Sequence, residues 1–411
     1  MSSHRFAIQL ITAMCVAEVF SMMGVFAFPA LLPRFFEAWG LTHTEAGWIN
    51  GIFFAGYTIT VPILASLTDR VDARRIYLAS AAVGAAACLG FGLLAQGFWT
   101  ALLFRTLGGV GLAGTFIPGL KVLVDRLEGA VQARAISFYT ATFSLGTSGS
   151  FLAAGQLETH FGWRSAFAVA AAGAGLALVL AATVTRSRPP RPSAIPGTRL
   201  MDFRPVFHNR KALAYILAYA AHMWELFSFR SWMVAFLAFS LGMQPTKDGT
   251  WSPSVVVALT SLVAMWASVG GAELAIRFGR NRVLSLVMGG SALFGCAMGF
   301  TASLPYAVVA TLCVVYALFV QADSAALHIG TVQSADPNRR GAAMAVQSLL
   351  GFGSASLGPI AVGTVLDLTG GGQTVMSWGI GFMAMGIGVG MGPVILRILR
   401  PETEAQSEGV S

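Results

Sequence analysis

Runs of about 20 mostly apolar residues recur twelve times along the chain, near 6–32, 44–67, 75–95, 98–122, 134–156, 164–185, 211–240, 254–276, 282–302, 305–330, 341–366 and 374–398. A helix rises 1.5 Å per residue, so each run is long enough to cross the ~30 Å hydrocarbon core of a bilayer. A soluble domain carries about 25% charged residues. This chain of 411 residues has 11% charged and 55% hydrophobic residues, more apolar surface than a globular core of that length can hide. Its 47 glycines fit the same reading, because small residues let membrane helices approach closely. MSSHR places basic residues before an apolar run too long for a cleaved signal peptide, so that run is expected to stay as the first span. The expected class is an all-α, multi-pass membrane protein.

Between the sixth and seventh runs lies RSRPPRPSAIPGTRLMDFRPVFHNRK, polar and proline-rich, which cannot be a helix interior. It divides the chain into 1–185, a linker at 186–210, 211–400 and a tail at 401–411. Basic residues orient the spans. With both termini cytoplasmic, the inside loops and ends carry Arg70, Arg74, Arg75, Lys121, Arg126, Arg134, Arg277, Arg280, Arg282, Arg339, Arg340 and the linker basics, while the outside loops keep only Arg34, Arg164 and Lys247. That asymmetry follows the positive-inside rule and accounts for the net charge of +8 without nucleic acid as a partner. Cys15, Cys88, Cys296 and Cys313 all lie in apolar runs without CxxC spacing and are expected to be buried thiols.

The halves resemble each other. EVFSMMG, from Glu18, aligns with ELFSFRS, from Glu225, at an offset of 207 residues, and at that offset SLTDRVDARRI falls on ELAIRFGRNRV. One offset serving two separate segments argues for duplication. A parallel repeat of six helices predicts two pseudo-symmetric bundles with a site near the bilayer midplane.

The loop ASLTDRVDARR resembles the G-x-L-x-D-R-x-G-R-R loop of the major facilitator superfamily. Leu67, Asp69, Arg70 and Arg74 match, while Ala65, Asp72 and Ala73 depart from it. The second-half copy, AELAIRFGRNR, keeps Gly279 and Arg280 but has Ile276 where the acid stands in the first. RTLGGVGLAGTF, from Arg105, looks like the superfamily's R-x-x-x-G-x-G segment. The resemblance implies the twelve-helix fold and a secondary transporter working by alternating access. It also implies a cytoplasmic gate in which Asp69 faces the start of the eleventh helix, and Arg70, Arg74 and Arg75 pair with acids such as Asp125. A carboxylate at a helix N-terminus is stabilised by unpaired N–H groups and the helix dipole.

Glu18 and Glu225 each lie roughly 18–20 Å from the cytoplasmic edge, near mid-membrane. Intramembrane ionisable residues are costly and mark functional sites by default. Burial favours the uncharged carboxylic acid, so the two glutamates are candidates for proton coupling. His222 and Glu225 share a helix face, three residues apart, whereas Arg230 points about 140° away from Glu225. Arg105, His222, Glu225 and Arg230 are therefore the candidate substrate contacts. The two arginines either offer their forks to an anionic solute or are neutralised by Glu18 and Glu225. Asp323 and His328 fall toward the cytoplasmic end of the tenth run and are assigned to the gate region.

Within the resemblance, nitrate, oxalate and monocarboxylate porters are disfavoured because the expected mid-membrane basic residues are missing. Drug export is weakened by TFSLGTSGSFLAAG, which lacks the Gly-Pro of antiporters. Two rivals come from elsewhere. Met22, Met23, His222, Met223, Met233 and Met265 would suit a soft-metal importer, although methionine is common filler in membrane cores. GTSG at 146–149 fits the G-x-S-G of an intramembrane serine protease, which needs its serine within reach of a histidine. The reading adopted is a non-enzymatic, proton-coupled transporter of a small, anionic organic solute. It is expected to act as a monomer in a bacterial inner membrane, with protons, solute and lipid as partners and neither cofactor nor bound metal.

Overall fold

The computed structural model describes residues 3–68, 70–188, 203–246 and 251–399. These residues form helices and connecting turns, with no strand among them. The chain divides into two compact units. Unit 1 takes Met1–Leu41, Trp48–Pro196 and Trp251–Leu262, and unit 2 takes Thr42–Gly47, Gly197–Thr250 and Val263–Ser411.

In the first half the helices are α1 (Ser3–Ser21), α2 (Ala27–Ala30), α3 (Leu32–Trp39), α4 (His43–Leu67), α5 (Ala73–Leu94), α6 (Phe98–Val124), α7 (Gly129–Phe161) and α8 (Trp163–Val184). The second half contains α9 (Arg204–His208), α10 (Arg210–Gly242), α11 (Pro253–Phe278), α12 (Arg280–Met298), α13 (Tyr306–Ala322), α14 (Ser324–Ser334), α15 (Arg340–Leu368) and α16 (Val375–Ile398). Among the described residues, nine helical segments are long and apolar enough to cross a membrane, α13 and α14 counting as one. The expected spans that fall short are α1, α7 and α10, which carry Glu18, the Ser/Thr-rich stretch 140–150, and His222, Glu225 and Arg230. Polar side chains dilute the hydropathy of the helices that hold the candidate site.

Two expected spans are broken instead of continuous. The run 6–32 stops as a helix at Ser21 and resumes as α2 and α3, reaching Trp39. The run 305–330 is interrupted at Asp323 and extends to Ser334. Hydropathy sums do not register either break.

Within unit 1, Tyr77 and Tyr139 are buried in a core with Leu10, Met14, Val122 and Leu123. In unit 2, Tyr215, Leu284, Met288, Leu327 and Val389 form the counterpart. Close approach at glycine tightens both units. A Cβ at Gly109 of α6 would collide with the carbonyl oxygen of Phe53 on α4, and one at Gly386 of α16 with the backbone of α12 at Ala292 and Cys296. Lipid offers no hydrophobic drive between helices, so such van der Waals contact carries the packing.

The first turn of α4 belongs to unit 2. There Asp367, near the end of α15, accepts bonds from the backbone N–H groups of His43 (3.0 Å) and Thr44 (2.8 Å), capping α4 from a distant part of the chain. His43 Nδ1 lies 3.0 Å from the same carboxylate, and its ring stacks on Trp232 with 5.8 Å between centroids.

Candidate functional site

The break after α1 follows from SMMGVFAFPA. Pro29 has no N–H to give the carbonyl of Val25 four residues earlier, and its ring crowds that oxygen. In a membrane interior a carbonyl without a donor is expensive. Arg105 on α6 supplies the missing donors. Its Nη1 donates to Val25 O (2.9 Å) and Gly24 O (3.3 Å), and its Nε to Ile49 O (3.4 Å). The guanidinium also lies 4.3 Å from the ring centroid of Phe53. Ser150 of α7 completes the repair: its hydroxyl donates to Met23 O (2.7 Å) and accepts from Phe26 N (3.0 Å). Among the described residues no acid is within ion-pair distance of Arg105, so the pairing with Glu18 that the sequence left open is not formed here. Arg105 instead works on the main chain. A small cavity of about 30 Å³ lies beside it, lined by Ser21, Ser80, Cys88 and Thr115 among others.

Glu18 sits one helical turn before the break and is fully buried. Tyr139 Oη is 2.8 Å from Glu18 Oε2 and 3.1 Å from the carbonyl of Thr115, and Ser21 Oγ is 3.4 Å from Oε2. The phenol has one proton and two acceptors in reach. The hydroxyl donates to Glu18 Oε2 at the shorter distance and reaches Thr115 O at the longer one. Oε1 is buried without a hydrogen-bond partner, which costs far less on a neutral acid than on a carboxylate.

Glu225, the repeat equivalent, is also fully buried. Ser291 Oγ lies 2.9 Å from both carboxyl oxygens, and Tyr316 Oη donates to Oε1 at 2.8 Å. The tyrosines are not repeat equivalents, since Tyr139 is on α7 and Tyr316 on α13. Each unit reaches a Glu–Tyr–Ser constellation through its own helices. No cation stands within ion-pair distance of either glutamate among the described residues.

His222 does not turn toward Glu225 alone. Its Nδ1 lies 2.7 Å from Asp323 Oδ1, both side chains fully buried. Asp323, which sequence counting assigns to the gate region toward the cytoplasmic end of its run, is buried beside α10 at the point where the helix breaks. His328 follows on α14, its ring 6.3 Å from that of Tyr219. Arg230 is buried, 5.5 Å from the ring centroid of Phe227. Of the four cysteines, all free, only Cys313 is fully buried, its Sγ 3.2 Å from Met233 Sδ. Among the described residues no three His, Cys, Asp or Glu side chains gather as a metal ion requires. Ser148 of GTSG donates its hydroxyl to the carbonyl of Ala258 at 2.9 Å.

A sequence model described as the Major Facilitator Superfamily matches residues 14–321, well over half of the chain. The chain belongs to the major facilitator superfamily. It is a multi-pass membrane protein. It is 24% identical over 203 residues to a putative metabolite transport protein of Haemophilus influenzae, covering 47% of this chain and 49% of that protein. To human protein spinster homolog 1 it is 23% identical over 325 residues, covering 74% and 60%. The chain thus spans about half the length of the curated relatives it matches. In fold it resembles the crystal structure of a bacterial homologue of the human lysosomal transporter spinster, in an inward-facing and occupied conformation (TM-score 0.73, 18% identity, 95% and 94% coverage). It also resembles nucleoside transporter NupG (TM-score 0.71, 15% identity, 97% and 98% coverage).

Of the gate residues that the superfamily loop implies, Asp69 lies outside the described residues. Arg70 is exposed. Arg74 is committed within unit 1, its Nε donating to Thr185 O (2.9 Å) and Oγ1 (3.0 Å) and its Nη2 to Ala182 O (3.0 Å). Arg75 lies on the first turn of α5, and Asp125 accepts from Lys121 Nζ at 3.1 Å. The residue that sequence reasoning passed over is Asp72. It stands where the superfamily loop has glycine, and it caps α5 through Arg74 N (3.0 Å) while accepting from Ser187 Oγ (3.0 Å) and Arg188 N (2.9 Å). Arg126 Nη2 is 4.0 Å away. Burial pushes the Asp72 carboxyl up, but these hydrogen bonds and the Arg126 charge outweigh it and hold the group below its ordinary value. An aspartate directly before the helical ARRIYLAS is an N-cap signal that was available in the sequence.

Proposed function

We propose that this member of the superfamily is a proton-coupled secondary transporter of a small organic solute, with Glu18 and Glu225 as the proton-coupling residues. The observation that carries this reading is their equivalence. Each is fully buried at the same repeat position, held by tyrosine and serine hydroxyls of its own unit, with no cation in ion-pair distance among the described residues. A permanently charged carboxylate in such a place is costly, whereas an acid that takes up a proton is accommodated by the hydroxyls.

The solute is proposed to be anionic and to meet Arg230, whose guanidinium offers a planar fork for a carboxylate or phosphate. Arg105, with its donors spent on carbonyls, is left to hold the backbone break. Glu225 and His222 stand on the same helix as Arg230 and complete the proposed solute-facing set. The metabolite transport protein, spinster and NupG relatives support small-solute transport and leave the solute open. The cytoplasmic location of both termini and of the linker remains the topology implied by the basic residues, and Asp69, Arg70, Arg74, Arg75 and Asp125 remain the proposed gate.

Proteoliposomes loaded with a panel of organic acids, nucleosides and amines, with and without an inward proton gradient, test the function. A solute accumulated only under the gradient is the expected result. In Glu18→Gln or Glu225→Gln, gradient-driven accumulation should disappear while solute exchange persists, because Gln keeps size and hydrogen bonding but cannot titrate. If both variants still accumulate solute against its gradient, neither glutamate carries the proton.

A further inference from the structure

The backbone repair in unit 1 uses only part of Arg105. A guanidinium offers five N–H donors in a fixed fork. Nε and Nη1 give theirs to the carbonyls of Ile49, Gly24 and Val25, and among the described residues the two N–H groups of Nη2 meet no acceptor. Arg105 is 3% exposed, and among the described residues no acid lies within ion-pair distance. Carbonyl dipoles solvate a cation but carry no net charge, so the positive charge stands uncancelled. Inside a membrane such a charge is costly unless an opposite one meets it.

Arg105 lines the small cavity between α1, α4, α5, α6 and α8. Its volume is about 30 Å³, and a single water needs about 10–15 Å³ of such space. One or two guests the size of water fit there, and an organic acid does not. No aspartate or glutamate is among the lining residues. Of the lining hydroxyls, Ser21 donates to Glu18 O (2.9 Å) and Thr115 to Leu112 O (3.2 Å), each within its own helix. Ser80 of α5 makes no hydrogen bond among the described residues. Much of the remaining wall is carbon, including the rings of Phe53, Phe91 and Phe104. The two uncommitted polar groups, Arg105 Nη2 and the Ser80 hydroxyl, can both donate. A guest that only accepts uses both.

We propose that this cavity is a binding site for one small monovalent anion of halide size, held by Arg105 Nη2 and the Ser80 hydroxyl. The anion cancels the charge of a guanidinium whose other donors are fixed on the α1 break and α4, so its binding steadies the repair. The site belongs to unit 1 alone. At the repeat offset of 207, Leu312 stands for Arg105 and Val287 for Ser80, and neither can hold an ion. The proposal rests on neither the coupling glutamates nor the transported solute.

The test follows thermal unfolding of the full-length protein in detergent, in sodium chloride or sodium gluconate at one pH and one ionic strength. An anion that binds only the folded state raises the melting temperature with the logarithm of its concentration once the site is filled. Chloride and bromide should do so, whereas gluconate, too large for the cavity, should not. Ser80→Ala should raise the chloride concentration needed for a given shift about tenfold, through the loss of one hydrogen bond to a charged group. Ala87→Val adds carbon to the cavity wall from α5 and should abolish the response. Crystals grown in bromide should show the ion's anomalous signal within hydrogen-bond distance of Arg105 Nη2. Equal melting curves in chloride and gluconate would mean that the cavity takes water only, and would overturn the proposal. A chloride response that both variants keep at wild-type strength would put the ion elsewhere and overturn it too. If neither variant folds, the bromide position in the wild-type protein decides: signal at Nη2 supports the site, and its absence there overturns it. Solute uptake enters none of these measurements, so failure of the proton-coupling reading leaves them standing.

Discussion

Units 1 and 2 carry matching sequence segments at an offset of 207 residues, yet each breaks a different helix and repairs it from the opposite partner. In unit 1 the first helix breaks at Met22–Phe26, and Arg105 reaches over from the intact fourth helix, α6. In unit 2 the first helix, α10, runs unbroken for 33 residues, and the fourth is broken at Asp323, where His222 of α10 meets it. The repeat equivalents confirm the exchange. Leu312 stands where Arg105 would be, Met23 where Arg230 would be, and Phe116, stacked 5.9 Å from Tyr139, where Asp323 would be. Each unit carries a buried glutamate at the matched position. The polar side chains then went wherever a backbone break demanded or permitted them. A break in a membrane helix and a buried charge are therefore one feature: the break exposes carbonyls or an acid, and the charge or its partner satisfies them.

The largest effect should come from the unit 1 repair. Arg105→Leu leaves the Val25 and Gly24 carbonyls without the Arg105 donors and should cost about 3–6 kcal/mol, taking hydrogen bonds to a charged group at about 1.5–3 kcal/mol each. If Pro29 causes the break, adding Pro29→Ala should recover a substantial part of that loss, because an N–H is restored for Val25 O. Thermal unfolding in detergent measures both, and an absence of rescue would show that the break has another origin.

The break in unit 2 is probed through its cover. Gly271→Ala drives a Cβ into Ala322 O and should cost about 1–3 kcal/mol. Gly84→Ala in α5, where nothing stands within 4 Å of the new Cβ, should be neutral or stabilising by up to about 1 kcal/mol. Equal losses in the two would mean that glycine acts through helix flexibility and not through close approach.

The smallest effect belongs to Asp72 outside the membrane. Its carboxyl is held below the ordinary 3.8, so its charge stabilises the fold above that pH, and the contribution is lost as pH falls through the lowered value. Asp72→Asn keeps the cap and loses the charge, for a deficit of a few tenths of a kcal/mol. The melting-temperature gap to wild type should hold from about pH 5 to 7 and close below about pH 4. A gap that is unchanged in acid would assign the whole effect to hydrogen bonding.

Much of this was legible without coordinates. Span length and apolar content specified a helical membrane protein, because in lipid every backbone group must be satisfied within its own segment. The 207-residue offset singled out Glu18 and Glu225, since few ionisable residues occupy mid-membrane positions and their depth follows from counting. What hydropathy could not register was Pro29 acting on Val25 O: its effect is one missing donor, and an apolar run with or without that donor scores alike. Asp72 was read as a departure from a glycine pattern although its position as an N-cap was open to inspection. The interruption at Asp323 was not legible either, because hydropathy along an apolar run does not register a break in the helix. Which tyrosine serves each glutamate, and whether His222 faces Glu225 or Asp323, were decided only by tertiary packing. Those contacts join residues 91 to 121 positions apart, and no local periodicity encodes which faces of distant helices meet.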